Sequence, residues 1–123
     1  MEAKILGAEV RFKESLIDGE EKEIRRQLRE YLKGERKIFD LDIEYPDSFT
    51  GEVMKAMSRI GYGETMTYGE LAKKIDSSPV AIGQGGGRNP VPIIIPCHRI
   101  VASDGLGGYQ YPELKEKLID LEN

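Results

Sequence analysis

The chain has 123 residues, a mass of 13.8 kDa and a net charge of −4, with 39% hydrophobic and 33% charged side chains. That balance suits one compact domain, or a small lobe joined to a larger one, and argues against long disorder. The apolar runs fall far below the roughly 20 residues that span a bilayer, so no membrane partner is expected.

The N-terminal stretch MEAKILGAEVRFKE is broken by charges and does not read as a secretory signal. A cytoplasmic protein is expected, nucleoid-associated if the source is prokaryotic. One cysteine excludes an internal disulfide, and one cysteine with one histidine argues against structural zinc. No metal or cofactor is expected. The overall charge does not advertise nucleic acid, but it is uneven. Residues 1–50 carry ten Lys/Arg against thirteen Asp/Glu, residues 51–105 six against five, and residues 106–123 two against four. A DNA-facing surface, if present, lies in the near-neutral middle.

Residues 4–12 and 37–43 alternate apolar and polar side chains, which predicts two half-buried strands. Between them, Ile24, Leu28, Tyr31 and Leu32 fall at helical spacing within Glu20 to Lys33, and Gly34 supplies a stop. Tyr45-Pro46-Asp47-Ser48 predicts a turn and a lobe boundary. A second helix is predicted over Phe49 to Ile60, ended by Gly61-Tyr62-Gly63. Thr67-Tyr68-Gly69-Glu70 then forms a capping box that opens a short helix to Ile75. Ser78 caps a further helix with Pro79 in its first position. Two short helices and a tight turn make a helix-turn-helix candidate. Gly83, Gly85, Gly86 and Gly87 each cost about 1 kcal/mol relative to alanine in a helix interior, so this last helix is expected to be cut short or frayed. The glycines fit either close backbone approach to a partner or a flexible connection.

Arg88-Asn89-Pro90-Val91-Pro92 predicts an extended loop, and Ile93-Ile94-Ile95 a short buried strand. Pro96-Cys97-His98-Arg99 follows. A lone cysteine beside a histidine is a candidate nucleophile, since the thiolate needs a base or cation to form at neutral pH. The same pair also fits an inert buried cysteine with a hydrogen-bonded core histidine.

The run from Asn89 to Val101, centred on Pro96-Cys97-His98-Arg99, resembles the active-site signature of the O6-alkylguanine-DNA alkyltransferases. Gly63-Glu-Thr-Met-Thr-Tyr-Gly-Glu-Leu-Ala resembles the first helix of that family's helix-turn-helix, and Gly105-Leu-Gly-Gly-Tyr its substrate-pocket loop. The resemblance covers about residues 47–123. It implies an α+β fold: a reduced N-terminal lobe (1–47) of strands plus one helix, then a winged-helix-like, helix-turn-helix alkyltransferase domain (48–123). It implies stoichiometric, irreversible transfer of the alkyl group from O6-alkylguanine in DNA, with O4-alkylthymine a further possible substrate, to Cys97. His98 would activate the thiol through a water and Glu122 would orient His98, in the logic of a triad. Tyr68 would donate a proton to the purine. Backbone groups at Cys97, Ile100 and Gln110 would read the base, Pro92 and Tyr109 would wall the pocket, and Asn89 would tie the recognition element to the active-site loop. Arg99 would pair within the fold rather than act chemically.

The partner implied is double-stranded DNA bound through the minor groove by a monomer, with the target nucleotide rotated out of the stack. The contacting positions would be Thr67, Tyr68, Ser78, Val80, Ala81, Gln84 and Arg88. Val80 stands where the family usually carries an arginine that fills the vacated stack, and glycine stands at 85 and 86 where it carries apolar residues. These departures leave the chemistry intact and bear on DNA affinity and flipping. They keep open a second reading, an alkyltransferase-like protein that binds lesions and transfers poorly. A thiol hydrolase using Cys97 and His98 is a third class, distinguished by turnover.

Overall fold

The computed structural model describes all 123 residues. The alternation over 4–12 folds as a hairpin rather than one strand: β1 (Glu2–Ile5) pairs antiparallel with β2 (Ala8–Arg11), with Ile5 opposite Ala8. Leu6 and Gly7 reverse the chain with φ of 49° and 94°, the doubly positive geometry that matches strand twist in a two-residue turn. A 3₁₀ turn (Glu14–Leu16) leads to β3 (Ile17–Asp18), which pairs with β4 (Asp42–Ile43). The strand predicted over 37–43 thus shrinks to its last two residues. A helix side chain explains part of the loss. Gln27 Nε2 donates to the Asp40 carbonyl (3.1 Å) and Gln27 Oε1 accepts from the Asp40 amide (2.8 Å), satisfying groups that a longer strand would pair.

That glutamine belongs to α1 (Glu21–Leu32), which buries Ile24, Leu28 and Tyr31 along one face as its spacing predicts. Gly34, at φ 76°, closes it: the Gly34 amide donates to the Tyr31 carbonyl and the Glu35 amide to the Glu30 carbonyl. Helix α2 (Phe49–Met57) starts at Ser48, whose hydroxyl accepts from the Gly51 amide. It ends three residues before the predicted Ile60, because Arg59 and Ile60 donate three residues back instead of four. Gly51 is obligatory, since a Cβ there would lie 1.8 Å from the Pro46 carbonyl oxygen.

Strand β5 (Met66–Thr67) runs into α3 (Tyr68–Lys74), with Thr67 as its cap. Both halves of the capping box form, at 3.1 Å each, an arrangement worth on the order of 1 kcal/mol. Helix α4 (Pro79–Gly87) is capped by Ser78 and continues through every glycine, against the expectation that they would cut it short. At Gly85 packing offsets the propensity cost. A Cβ on Gly85 would stand 2.9 Å from Val53 Cγ2, so α4 reaches its seat on α2 only with a side-chain-free position there.

Ile93-Ile94-Ile95 is buried but is a turn, not a strand. Ile93 has φ 72°, a left-handed conformation that is costly for a β-branched residue. Asn89 holds the turn closed: its Nδ2 donates to the Ile95 carbonyl (2.8 Å) and its Oδ1 accepts from the Val91 amide (3.1 Å). The chain leaves this turn into a 3₁₀ turn over Cys97–Arg99, then β6 (Ile100–Val101), parallel to β5. That pairing sets the start of α3 against the segment that follows Cys97. A final helix, α5 (Pro112–Leu121), is an element the sequence reading did not include, and it carries Glu122 as its C-terminal cap.

Candidate active site

The three residues of the 3₁₀ turn point in different directions, as one residue per third of a turn requires. Cys97 is 4% exposed and lines a cavity of about 280 Å³ together with Tyr68, Gly83, Gly86, Gly87, Ile100, Gly108 and Tyr109. His98 lies behind it, fully buried, with Nε2 2.8 Å from Glu122 Oε2. That contact assigns the proton to Nε2 and leaves Nδ1 as an acceptor. Nδ1 is buried with no partner. Arg99 converges on the same carboxylate. Its Nε and Nη2 each reach Glu122 at 2.9 Å, and Nη1 donates to the Ile60 carbonyl at 2.6 Å.

Glu122 is the hub. It also accepts from the Tyr31 hydroxyl (2.6 Å) and the Gly63 amide (3.2 Å). Burial alone would raise its carboxyl, but the hydrogen bonds from His98 and Arg99 outweigh burial and hold it well below the usual carboxylate range. Burial pushes the His98 imidazole down, against the opposing effect of Glu122, so the ring is neutral and able to take a proton. Burial likewise pushes the Cys97 thiol up, with partial relief from Asn89 and Tyr109. The Tyr109 hydroxyl lies near enough to the thiol to favour its ionised form, although in the resting geometry the two do not make an aligned hydrogen bond. At rest this is a thiol beside a neutral base, not a preformed thiolate.

On the far wall, the Tyr68 hydroxyl donates to the Gly108 carbonyl at 3.1 Å. The same carbonyl accepts from Lys115 Nζ at 2.8 Å. Lys115 is 2% exposed and has no carboxylate within ion-pair distance, an uncommon state for a buried cation. Its ammonium lies 5.8 Å from the centre of the Tyr68 ring. Burial lowers its pKa, and the nearness of Cys97 opposes that shift. Gly107, at φ 75°, passes so close to Tyr68 that a Cβ there would lie 2.8 Å from the ring. The 105–109 loop is therefore pressed onto the tyrosine.

Helices α3 and α4 flank the cavity mouth. On their outer side Val80 is 72% exposed, and Gln84 and Arg88 are exposed as well. Ala81 is half-buried. The hydroxyl oxygens of Thr67 and Ser78 accept from the Glu70 and Ala81 amides and so cap α3 and α4.

Residues 48–123 match the family model described as 6-O-methylguanine DNA methyltransferase, DNA binding domain. The chain belongs to this family. It is 46% identical over 84 residues to the methylated-DNA--protein-cysteine methyltransferase of Methanocaldococcus jannaschii, an alignment covering 68% of this chain and 50% of that one. It is 42% identical over 110 residues to the protein of the same name from Archaeoglobus fulgidus, covering 81% and 74%. Among solved structures, the Mycobacterium tuberculosis OGT in complex with DNA superposes with a TM-score of 0.77 at 38% identity, covering 82% of this chain and 66% of that one. The chain thus spans about half the length of the M. jannaschii relative. The mixed α+β architecture expected from the sequence agrees with these alkyltransferase structures.

Within this methyltransferase-family fold, Cys97, Tyr68, Ile100 and Tyr109 meet at the cavity, with His98 and Glu122 behind the thiol. Asn89 is buried and braces the turn before Cys97. Pro92 is buried in that turn, and its side chain does not line the cavity. Gln110 faces a neighbouring groove, where its Nε2 donates to the Asn89 carbonyl at 3.2 Å. Arg99 pairs internally, as expected. Sequence reasoning missed Lys115 and the reach of Tyr31. The available signal was helical spacing: Lys115, Leu118 and Glu122 share a face of the C-terminal segment.

Proposed function

We propose that this protein repairs O6-alkylguanine in DNA by moving the alkyl group onto Cys97 once and irreversibly. The observation that carries the reading is a single cysteine opening on a purine-sized cavity, backed by an imidazole whose Nε2 is pinned by Glu122 and whose Nδ1 is free. Residues 48–123 would carry DNA binding and transfer, and residues 1–47 would brace them as a smaller lobe.

In this reading the Cys97 proton passes through a bridging water to His98 Nδ1, and Glu122 stabilises the imidazolium that results. The thiolate attacks the alkyl carbon, an S–C bond forms, and the C–O6 bond breaks with its electrons left on the guanine. Tyr68 gives up its bond to Gly108 and donates its proton to the purine ring, so that a neutral base departs. The product thioether offers no group that water can displace, so each molecule acts once. Lesion-bearing duplex DNA would dock on the α3–α4 face through its minor groove, with the nucleotide turned out into the cavity. Without an arginine at position 80, the unstacking cost is met only in part by the apolar bulk of Val80.

The test is a titration of methylated duplex with protein. Repair should rise linearly and stop at one alkyl group per protein molecule, and Cys97→Ser should repair none. Repeated turnover would instead point to a hydrolase. Lesion binding with no transfer, from duplex or from free O6-benzylguanine, would favour a lesion-binding module.

A further inference from the structure

One contact of Glu122 comes from far outside the family motifs. Tyr31, on α1, lies 91 positions away in sequence and is fully buried, and its hydroxyl meets Glu122 Oε2 at 2.6 Å. Its ring is wedged between Phe39, at a centroid distance of 5.4 Å, and Tyr62, which meets it edge-on at 6.2 Å. The hydroxyl therefore has a fixed aim.

The oxygen it meets is the one that holds the catalytic base. Oε2 faces Tyr31 Oη at 2.6 Å, His98 Nε2 at 2.8 Å and Arg99 Nη2 at 2.9 Å. A carboxylate oxygen has about two lone-pair sites, so three donors share limited electron density. Each donor that draws on Oε2 leaves less to stabilise a positive charge on His98. Burial keeps the phenol far from ionising, so it remains a donor throughout the working pH range.

We propose that Tyr31 is a positioning residue of the active site: through its hydrogen bond to Glu122 it fixes the carboxylate and limits the basicity of His98. The first 47 residues thereby contribute an electrostatic element to the base, in addition to packing. The effect on transfer rests on the alkyltransferase reading; the effect on the imidazole does not.

His98 is the only histidine in the chain, so its titration can be read without ambiguity by nitrogen and carbon NMR of labelled imidazole. Tyr31→Phe removes one oxygen and keeps the ring. It should raise the His98 pKa by about half a unit, roughly threefold in the proton equilibrium, and move the acid limb of the transfer rate the same way. Replacing Tyr31 with 3,5-difluorotyrosine, a stronger donor, should move both in the opposite direction. Opposed shifts are not produced by a loss of packing. An unchanged His98 pKa in both proteins, with only a lower unfolding temperature in the first, would overturn the proposal. If Tyr31→Phe does not fold, the fluorinated protein decides alone. Failure of the unaltered protein to accept an alkyl group would count against the transfer reading, and the imidazole titration would stand.

Discussion

Gly85 and Gly86 are neighbours on one helix, yet alanine should stabilise the protein at position 86 and not at position 85. At Gly86 an added Cβ meets Ile100 Cδ1 at 3.8 Å and Met57 Sδ at 3.9 Å, both ordinary contacts. Gly86→Ala therefore gains the helix preference of alanine, about 1 kcal/mol, or roughly 4 °C in Tm for a domain of this size. At Gly85 the new Cβ lies 2.9 Å from Val53 Cγ2, 3.2 Å from its Cβ and 3.3 Å from its Cγ1. Turning the valine about χ1 relieves the methyl contacts but not the Cβ contact, so α4 must lift from α2. Overpacking of this kind costs about 1–3 kcal/mol, which cancels or exceeds the propensity gain. Urea and thermal unfolding of the two variants would measure the difference. Equal stabilisation of both would refute the account of why position 85 of α4 requires glycine.

Lys115→Met keeps the aliphatic stem and removes the buried charge beside Cys97; the iodoacetamide reaction of Cys97 should then need higher pH, and an unchanged pH profile would exclude an electrostatic role. The same variant tests linkage. Because burial depresses the ammonium pKa in the folded state, the unaltered protein should gain stability relative to the variant as pH rises toward the ordinary lysine value of about 10.4. Val80→Arg, at an exposed position at the start of α4, should speed repair of duplex DNA severalfold and leave labelling by free O6-benzylguanine unchanged; equal rates before and after on both substrates would remove position 80 from the flipping step.

What the sequence disclosed follows the range of the forces involved. Caps at Thr67 and Ser78 are local hydrogen bonds, and each was legible from a few adjacent residues. The apolar stripe of α1 was legible for the same reason. Tertiary demands were not. The run of three isoleucines reads as a strand, but Asn89 ties it into a turn that forces Ile93 to positive φ. The glycines of α4 read as a break, and only the nearness of Val53 shows why the one at position 85 is kept. Cys97, His98 and Tyr68 were found through motif resemblance, whereas Lys115 and Tyr31 acquire meaning only once α5 and α1 close around Glu122 and Gly108.

The central claim concerns a single sulfur. Incubating the protein in excess with duplex DNA carrying O6-methylguanine, followed by intact-mass and peptide mass spectrometry, tests it most directly. A permanent gain of one methyl group in place of the thiol hydrogen, mapped to Cys97 and matched by restored guanine, is the result expected. An unmodified Cys97 after several hours, or a methyl group found on another residue, would contradict it.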